Sequence, residues 1–188
     1  MKPFITFKKN FRRIYFVALL VLATLSFCVG CEKKPPLKIG DNAPVISGND
    51  IHGEPVGLDR FKGKIVVIFF WTNSCCGDKL KLLEPLFRQY KDKGLAILAV
   101  NEGNSKEEVE TYTKTNDLTF VMQTDEYAIT SKRYGIIGFP TIFILDKNGI
   151  IRKKILGDIQ TEQLQKLILQ QSTIQKEIEA NYEKSRSR

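Results

Sequence analysis

FKGKIVVIFFWTNSCCGDK, Phe61 to Lys79, passes from an unbroken apolar run into two adjacent cysteines and then into charged residues. Ile65 to Trp71 is continuously β-branched or aromatic, the pattern of a strand buried on both faces. Helical spacing follows from Asp78 to Lys93. Leu82, Leu83, Leu86, Phe87 and Tyr90 form its apolar stripe, and Gly94 ends it. A buried strand feeding a helix through a short loop predicts an α/β domain.

Working outward, Leu95–Val100 reads as a second buried strand. Ser105 and Glu108 form a capping-box pattern that opens a helix over SKEEVETYTKTND. A shorter helix is expected after Asp125, ending at Gly135. Thr141–Asp146 and IIRKKIL, joined by Lys147-Asn148-Gly149, predict a closing hairpin, which makes the sheet mixed. Thr161 caps a last helix with Leu164, Leu167, Ile168, Ile174 and Ile178 on one face. Upstream, Lys38–Lys64 is rich in Gly and Pro and reads as short edge strands and an N-terminal β-hairpin.

The formal net charge of +8 would suit a nucleic-acid binder if it lay on the folded part. It does not: Lys2, Lys8, Lys9, Arg12 and Arg13 supply five of those charges before residue 30, leaving +3, and Lys184, Arg186 and Arg188 crowd the tail. No basic stripe with interleaved aromatics is present, so nucleic acid is not an expected partner. The basic start precedes a 17-residue apolar run, Ile14 to Gly30, as in a secretory signal or membrane anchor. Gly30-Cys31 resembles a bacterial lipoprotein signal in which Cys31 is lipidated; an uncleaved helix is the alternative. The expected organisation is a signal or anchor at 1–30, a tether at 31–36, the domain at 37–172 and a helical extension with a basic tail at 173–188. An exported domain outside the membrane follows from either alternative.

Of the four cysteines, Cys28 and Cys31 belong to the export segment, which leaves the domain Cys75 and Cys76. A disulfide scaffold is excluded, and in an exported protein a lone pair points to chemistry. At a helix start, unpaired N–H groups favour the thiolate, the form that attacks disulfides. Adjacent Cα atoms lie about 3.8 Å apart, below the roughly 4.4 Å lower end for disulfides, so a Cys75–Cys76 bond would be strained and easily reduced. Two thiolates with His52, the sole histidine, would complete a zinc site only if its loop reached the cysteines.

The order of these elements and the residues at their joints resemble the thioredoxin-like superfamily, in particular membrane-tethered thiol-disulfide oxidoreductases of the TlpA/ResA type. IGDNAP is similar to that family's opening motif, FKGKIVVIFFW to its strand into the active site, AVNEGNSKEEV to its inserted-helix segment and YGIIGFPTIFILDKNGII to its cis-proline stretch. The likeness runs from about Leu37 to Leu169. It implies a thioredoxin-like fold, a central mixed sheet flanked by helices, with Cys75 and Cys76 as the redox pair.

The family expects Cys-x-x-Cys, whereas here the cysteines are vicinal. Counting from Trp71 puts the nucleophile at Cys75; counting back from Tyr90 puts the resolving cysteine at Cys76. The resemblance further implies substrate binding by Trp71, Phe139 and Pro140. Asn104 occupies the family's acid position, which leaves Glu102 as the candidate proton relay. Protein thiols and disulfides, and a membrane or periplasmic electron donor, are the implied partners; no cofactor and no metal is implied. Two other readings stand beside this one: a binding module or metallochaperone-like protein with altered redox cycling, and a peroxiredoxin-like thiol peroxidase suggested by Thr72 three residues before Cys75.

Overall fold

A computed structural model describes residues 15–16 and 35–186. The chain divides into two units, Met1–Pro35 and Pro36–Arg188. Apart from Tyr15 and Phe16, the apolar run and Cys31 lie outside the described residues. Among the described residues, no helix is long and apolar enough to cross a membrane.

The second unit is built on five strands: β1 (Ile65–Trp71), β2 (Leu95–Glu102), β3 (Val121–Asp125), β4 (Thr141–Leu145) and β5 (Ile151–Leu156), in the spatial order β3-β2-β1-β4-β5. β1 is parallel to β2, β2 is parallel to β3, and β4 runs antiparallel to both β1 and β5. Five helices accompany them: α1 (Gly77–Lys81), α2 (Leu83–Tyr90), α3 (Lys106–Thr115), α4 (Ile129–Tyr134) and α5 (Thr161–Arg186).

All seven residues of β1 are buried because successive side chains enter two different cores. Ile65, Val67, Phe69 and Trp71 meet Leu80, Leu83 and Leu86 of α1 and α2, Val109 of α3, and Leu164 and Ile168 of α5. Val66, Ile68 and Phe70 join Tyr134 of α4 and Ile46, Val56 and Phe61 of the N-terminal segment. Each fully buried large apolar side chain contributes about 1.5–3 kcal/mol, so a strand with two covered faces becomes the anchor of the sheet.

The helix expected from Asp78 to Lys93 divides at Leu82. Pro85 lacks the N–H that would bond to the Lys81 carbonyl, and its ring crowds that oxygen. The first segment closes instead with Leu82 N–H bonded to the Lys79 carbonyl at 3.2 Å. Leu82 consequently turns outward, 50% exposed, while Leu83 and Leu86 stay in the core. The capping box is present as expected: Ser105 N–H donates to Glu108 Oε2 at 2.8 Å, and Glu108 N–H donates to Ser105 Oγ at 3.2 Å.

Three regions depart from the expected pattern. β3 carries no clear alternation in sequence, yet it pairs with β2 and forms the sheet edge. Its Gln123 is buried and donates to the Ser47 carbonyl at 2.8 Å. The N-terminal hairpin contracts to a single bridge between Asn49 and Pro55. In α5 the buried stripe is Leu164, Ile168, Gln171 and Gln175. Ile174 falls to its side, and Ile178 is 54% exposed. A helix of 26 residues is about 39 Å long and outruns strands of five to eight residues.

Candidate active site

Parallel sheets place ligands beyond the carboxyl ends of their strands, and here β1 ends at Trp71. The chain then turns through Thr72–Cys76, with the amides of Cys75 and Cys76 both donating to the Thr72 carbonyl, at 3.4 and 3.3 Å. This turn separates the two thiols. Cys75 is exposed and Cys76 is buried; both are free. The Cys75 thiol donates to the Phe139 carbonyl at 3.7 Å, and the Phe139–Pro140 peptide is cis. Thus the loop before β4 faces the strand-to-helix joint, which brings Cys75, Phe139 and Pro140 together. Pro140 is buried, its carbonyl accepting from Gly157 N–H at 2.8 Å.

Cys76 sits at the N-cap of α1, its thiol 4.0 Å from the Thr72 carbonyl. Burial pushes this thiol up to about 11, with the neighbouring Cys75 adding to the rise and the Thr72 backbone bond opposing it. At neutral pH Cys76 is therefore a protonated, enclosed thiol beside an accessible one. The fold favours the protonated form, so its contribution to stability is fully present below about pH 9, the unfolded value, and is lost as pH climbs toward 11. Urea melts should show the stability of the native chain falling between those values by up to about 1.4 kcal/mol per pH unit more than that of Cys76→Ser. Parallel curves would contradict the assignment.

Behind the loop lies a network that the motifs did not reveal. Asn101 is fully buried at the end of β2, in register with Trp71. Its Nδ2 donates to Asn73 Oδ1 at 3.0 Å, and its Oδ1 accepts from Asn104 N–H at 3.2 Å. Asn73 N–H in turn donates to Asn104 Oδ1 at 3.2 Å. Three asparagines thereby tie the cysteine loop to the turn that starts α3. The sequence signal was the pair TNS and VNEGN at the ends of the two central strands. Asn101→Leu strands the Asn73 carbonyl and the Asn104 amide, so it should lower stability by about 1–3 kcal/mol and loosen the cysteine loop. Denaturant melts and hydrogen exchange at Asn73 and Asn104 read both effects.

Trp71 and Glu102, expected at the site, are placed otherwise, and the histidine weighed as a metal ligand lies apart. Trp71 does not face substrate: it is wholly buried and packs against Tyr112, with ring centroids 4.8 Å apart. Glu102 turns away from the thiols. Successive strand residues alternate, so Asn101 shares the face of Trp71 and Cys76 while Glu102 takes the opposite one, opposite Asp125 of β3. His52 is exposed in the turn that pairs with β3, where its N–H donates to Asp50 Oδ1 at 2.9 Å. It does not join the cysteines, because β2 and β3 intervene between its turn and β1. Among the described residues, no group of three or more His, Cys, Asp or Glu is arranged to hold a metal ion. The Thr72 hydroxyl lies 3.2 Å from that of Ser74, and its carbonyl is the atom that organises the cysteines.

Nearby charges are largely balanced at the surface: Lys81 pairs with Asp78 at 2.8 Å and Lys79 with Asp158 at 2.7 Å. The site therefore offers one exposed thiol, one buried thiol and a facing backbone carbonyl, an arrangement suited to attack on a disulfide carried by an extended chain.

Comparison with known proteins agrees with this geometry. The AhpC/TSA family model matches residues 39–154. Thiol-disulfide oxidoreductase ResA of Bacillus cereus is 32% identical over 170 residues, covering 86% of this chain and 96% of the relative. Thioredoxin-like protein YneN of Bacillus subtilis is 32% identical, covering 71% and 81%. Among solved structures, a thiol:disulfide interchange protein from a Bacteroides species superposes with a TM-score of 0.62 at 28% identity, covering 70% and 88%. The thioredoxin domain of a thiol-disulfide oxidoreductase from Bacteroides vulgatus gives 0.61 at 29%, covering 70% and 99%. The chain belongs to the AhpC/TSA family and is a thioredoxin-like thiol-disulfide oxidoreductase of the ResA type.

Proposed function

We propose that Cys75 is the attacking thiol and that the Phe139–Pro140 loop receives the substrate chain. The observation that carries this reading is the exposed Cys75 sulfur 3.7 Å from the Phe139 carbonyl, with Cys76 enclosed behind it. The Cys75 thiolate attacks one sulfur of a protein disulfide. The substrate S–S bond breaks, its electron pair leaves on the second substrate sulfur, which takes a proton, and a mixed disulfide remains at Cys75. Cys76, deprotonated, then attacks the Cys75 sulfur and releases the second substrate thiol, leaving an oxidised Cys75–Cys76 pair; an external thiol can substitute for it. Because vicinal Cα atoms are closer than disulfides prefer, the oxidised pair is a strong acceptor and is readily reduced by an electron donor.

The same reading places the domain outside the cytoplasmic membrane, held by the N-terminal segment, with the donor in the membrane or periplasm. The basic flank, the apolar run to Gly30 and Cys31 support it. Radiolabelled palmitate incorporated into the native chain and absent from Cys31→Ser establishes the lipid tether. Retention of an unlabelled, full-length chain in the membrane establishes the uncleaved anchor instead.

A further inference from the structure

Cys76 must carry negative charge whenever it acts as resolving nucleophile or as the group displaced from the oxidised pair. That charge forms in a buried position where the acceptor beside it, the Thr72 carbonyl, cannot stabilise an anion. Glu102 faces the other side of the sheet, and the Asn73–Asn101–Asn104 network is bonded to itself. The N–H groups that open α1 favour the anion from one side, and a side-chain donor is needed on the other.

Tyr112 on α3 has the required placement. Its hydroxyl is buried without a hydrogen-bond partner among the described residues, a condition that calls for an explanation. It lies directly under the start of α1: a Cβ on Gly77, the residue after Cys76, would come within 2.9 Å of the Tyr112 oxygen. Only glycine leaves that space open, so the absent side chain of Gly77 and the unused hydroxyl of Tyr112 are complementary. Trp71, tilted at 49° against the Tyr112 ring with centroids 4.8 Å apart, packs the phenol in place. Burial, then the charges of Asp78 and Cys76, push the Tyr112 hydroxyl up to about 12, so it keeps its proton when Cys76 ionises.

The other charged groups about this pair are few. Asp78 is ion-paired with Lys81, whose Nζ lies 6.0 Å from the Tyr112 ring centre. Cys75 adjoins Cys76 on the loop. From α3, Glu107 and Glu108 line a depression of about 470 Å³ beside Tyr112 that Asn73 also borders. β1 contributes Trp71, which is uncharged and whose buried indole N–H is a second donor without a partner. None of the carboxylates can donate to a thiolate, and the ammonium of Lys81 is held by Asp78.

We propose that the Tyr112 hydroxyl is the hydrogen-bond donor that stabilises the Cys76 thiolate, a positioning residue for the second half of the exchange. The proposal rests on Cys75 and Cys76 being the reactive pair. On ionising, Cys76 loses the proton it shares with the Thr72 carbonyl, and a shift of its sulfur away from that oxygen toward the phenol supplies the bond, with no change of oxidation state and no proton lost from Tyr112. A donor of this kind lets a thiol remain enclosed and protected at neutral pH yet leave or attack when the exchange demands it.

The test reads ionisation rather than turnover, so its failure is distinguishable from failure of the proposed exchange. The reduced full chain is pulse-labelled with iodoacetamide between pH 8 and 12, and the modified cysteine is located by peptide fragmentation. In Tyr112→Phe, which keeps the ring against Trp71, labelling of Cys76 near pH 10 should fall roughly three- to tenfold while Cys75 is unchanged. A fluorinated tyrosine incorporated at position 112, a stronger donor in the same shape, should shift the Cys76 profile the other way. Coincident Cys76 profiles for Tyr112, phenylalanine and fluorotyrosine chains overturn the proposal, as does an equal shift at both cysteines.

Discussion

Cys75→Ser should reduce disulfide exchange with a protein substrate such as insulin to the uncatalysed rate, because a hydroxyl oxygen cannot form the mixed disulfide. Cys76→Ser should behave differently. It removes the internal resolving group but leaves the exposed thiol, so one equivalent of substrate should be captured rapidly and released slowly by added thiol. The asymmetry follows from burial. Cys75 lies in solvent opposite the Phe139 carbonyl, whereas Cys76 is 3% exposed with its proton held to about pH 11. In a Cys-x-x-Cys protein a helical turn presents both sulfurs on one face. Here the turn at Thr72 exposes one sulfur and covers the other. Stopped assays with a dithiothreitol-coupled readout distinguish full loss from a burst followed by slow turnover. Equal loss in both variants would contradict the division of roles.

The second large effect concerns Trp71. Trp71→Ala should lower the unfolding free energy by about 3–5 kcal/mol, seen as a lower urea midpoint with little change in slope. The indole is fully enclosed between the sheet and Tyr112, directly beneath the cysteine loop, so truncation opens a cavity where the loop rests. Were Trp71 a docking surface for substrate instead, its removal would leave stability within about 0.5 kcal/mol and raise KM. Trp71→Phe should restore most of the stability by refilling the space.

The central architecture could be read directly from residue chemistry. Ile65–Trp71 is apolar at every position, and a strand of that kind has to be covered on both faces, as β1 is by its two cores. Ser105 and Glu108 announced the start of α3 because a capping box is a local device, satisfied within four residues. What escaped was decided by tertiary contact. β3 is a strand because β2 offers it an edge and because Gln123 reaches the Ser47 carbonyl, neither of which shows in its own pattern. Pro85 was visible, but the apolar stripe around it suggested a continuous helix; the lost N–H divided it.

The site divided along the same line. Cys75 and Pro140 were named from the family resemblance, and the structure sets the Cys75 sulfur against the Phe139 carbonyl beside Pro140. The direction of Glu102 was missed, although it follows from counting alternation along β2 from Ala99, a core residue on the Cys76 face. Tyr112 and the asparagine network were invisible to motif reading, since each depends on a partner 28 or more residues away or on another element's missing side chain.

The full chain is mixed with a peptide disulfide under single-turnover conditions, quenched with acid and mapped by fragmentation. The transient peptide adduct should appear on Cys75, decaying to free reduced peptide and an oxidised Cys75–Cys76 pair. An adduct found first on Cys76 would contradict the assignment of Cys75 as the attacking thiol.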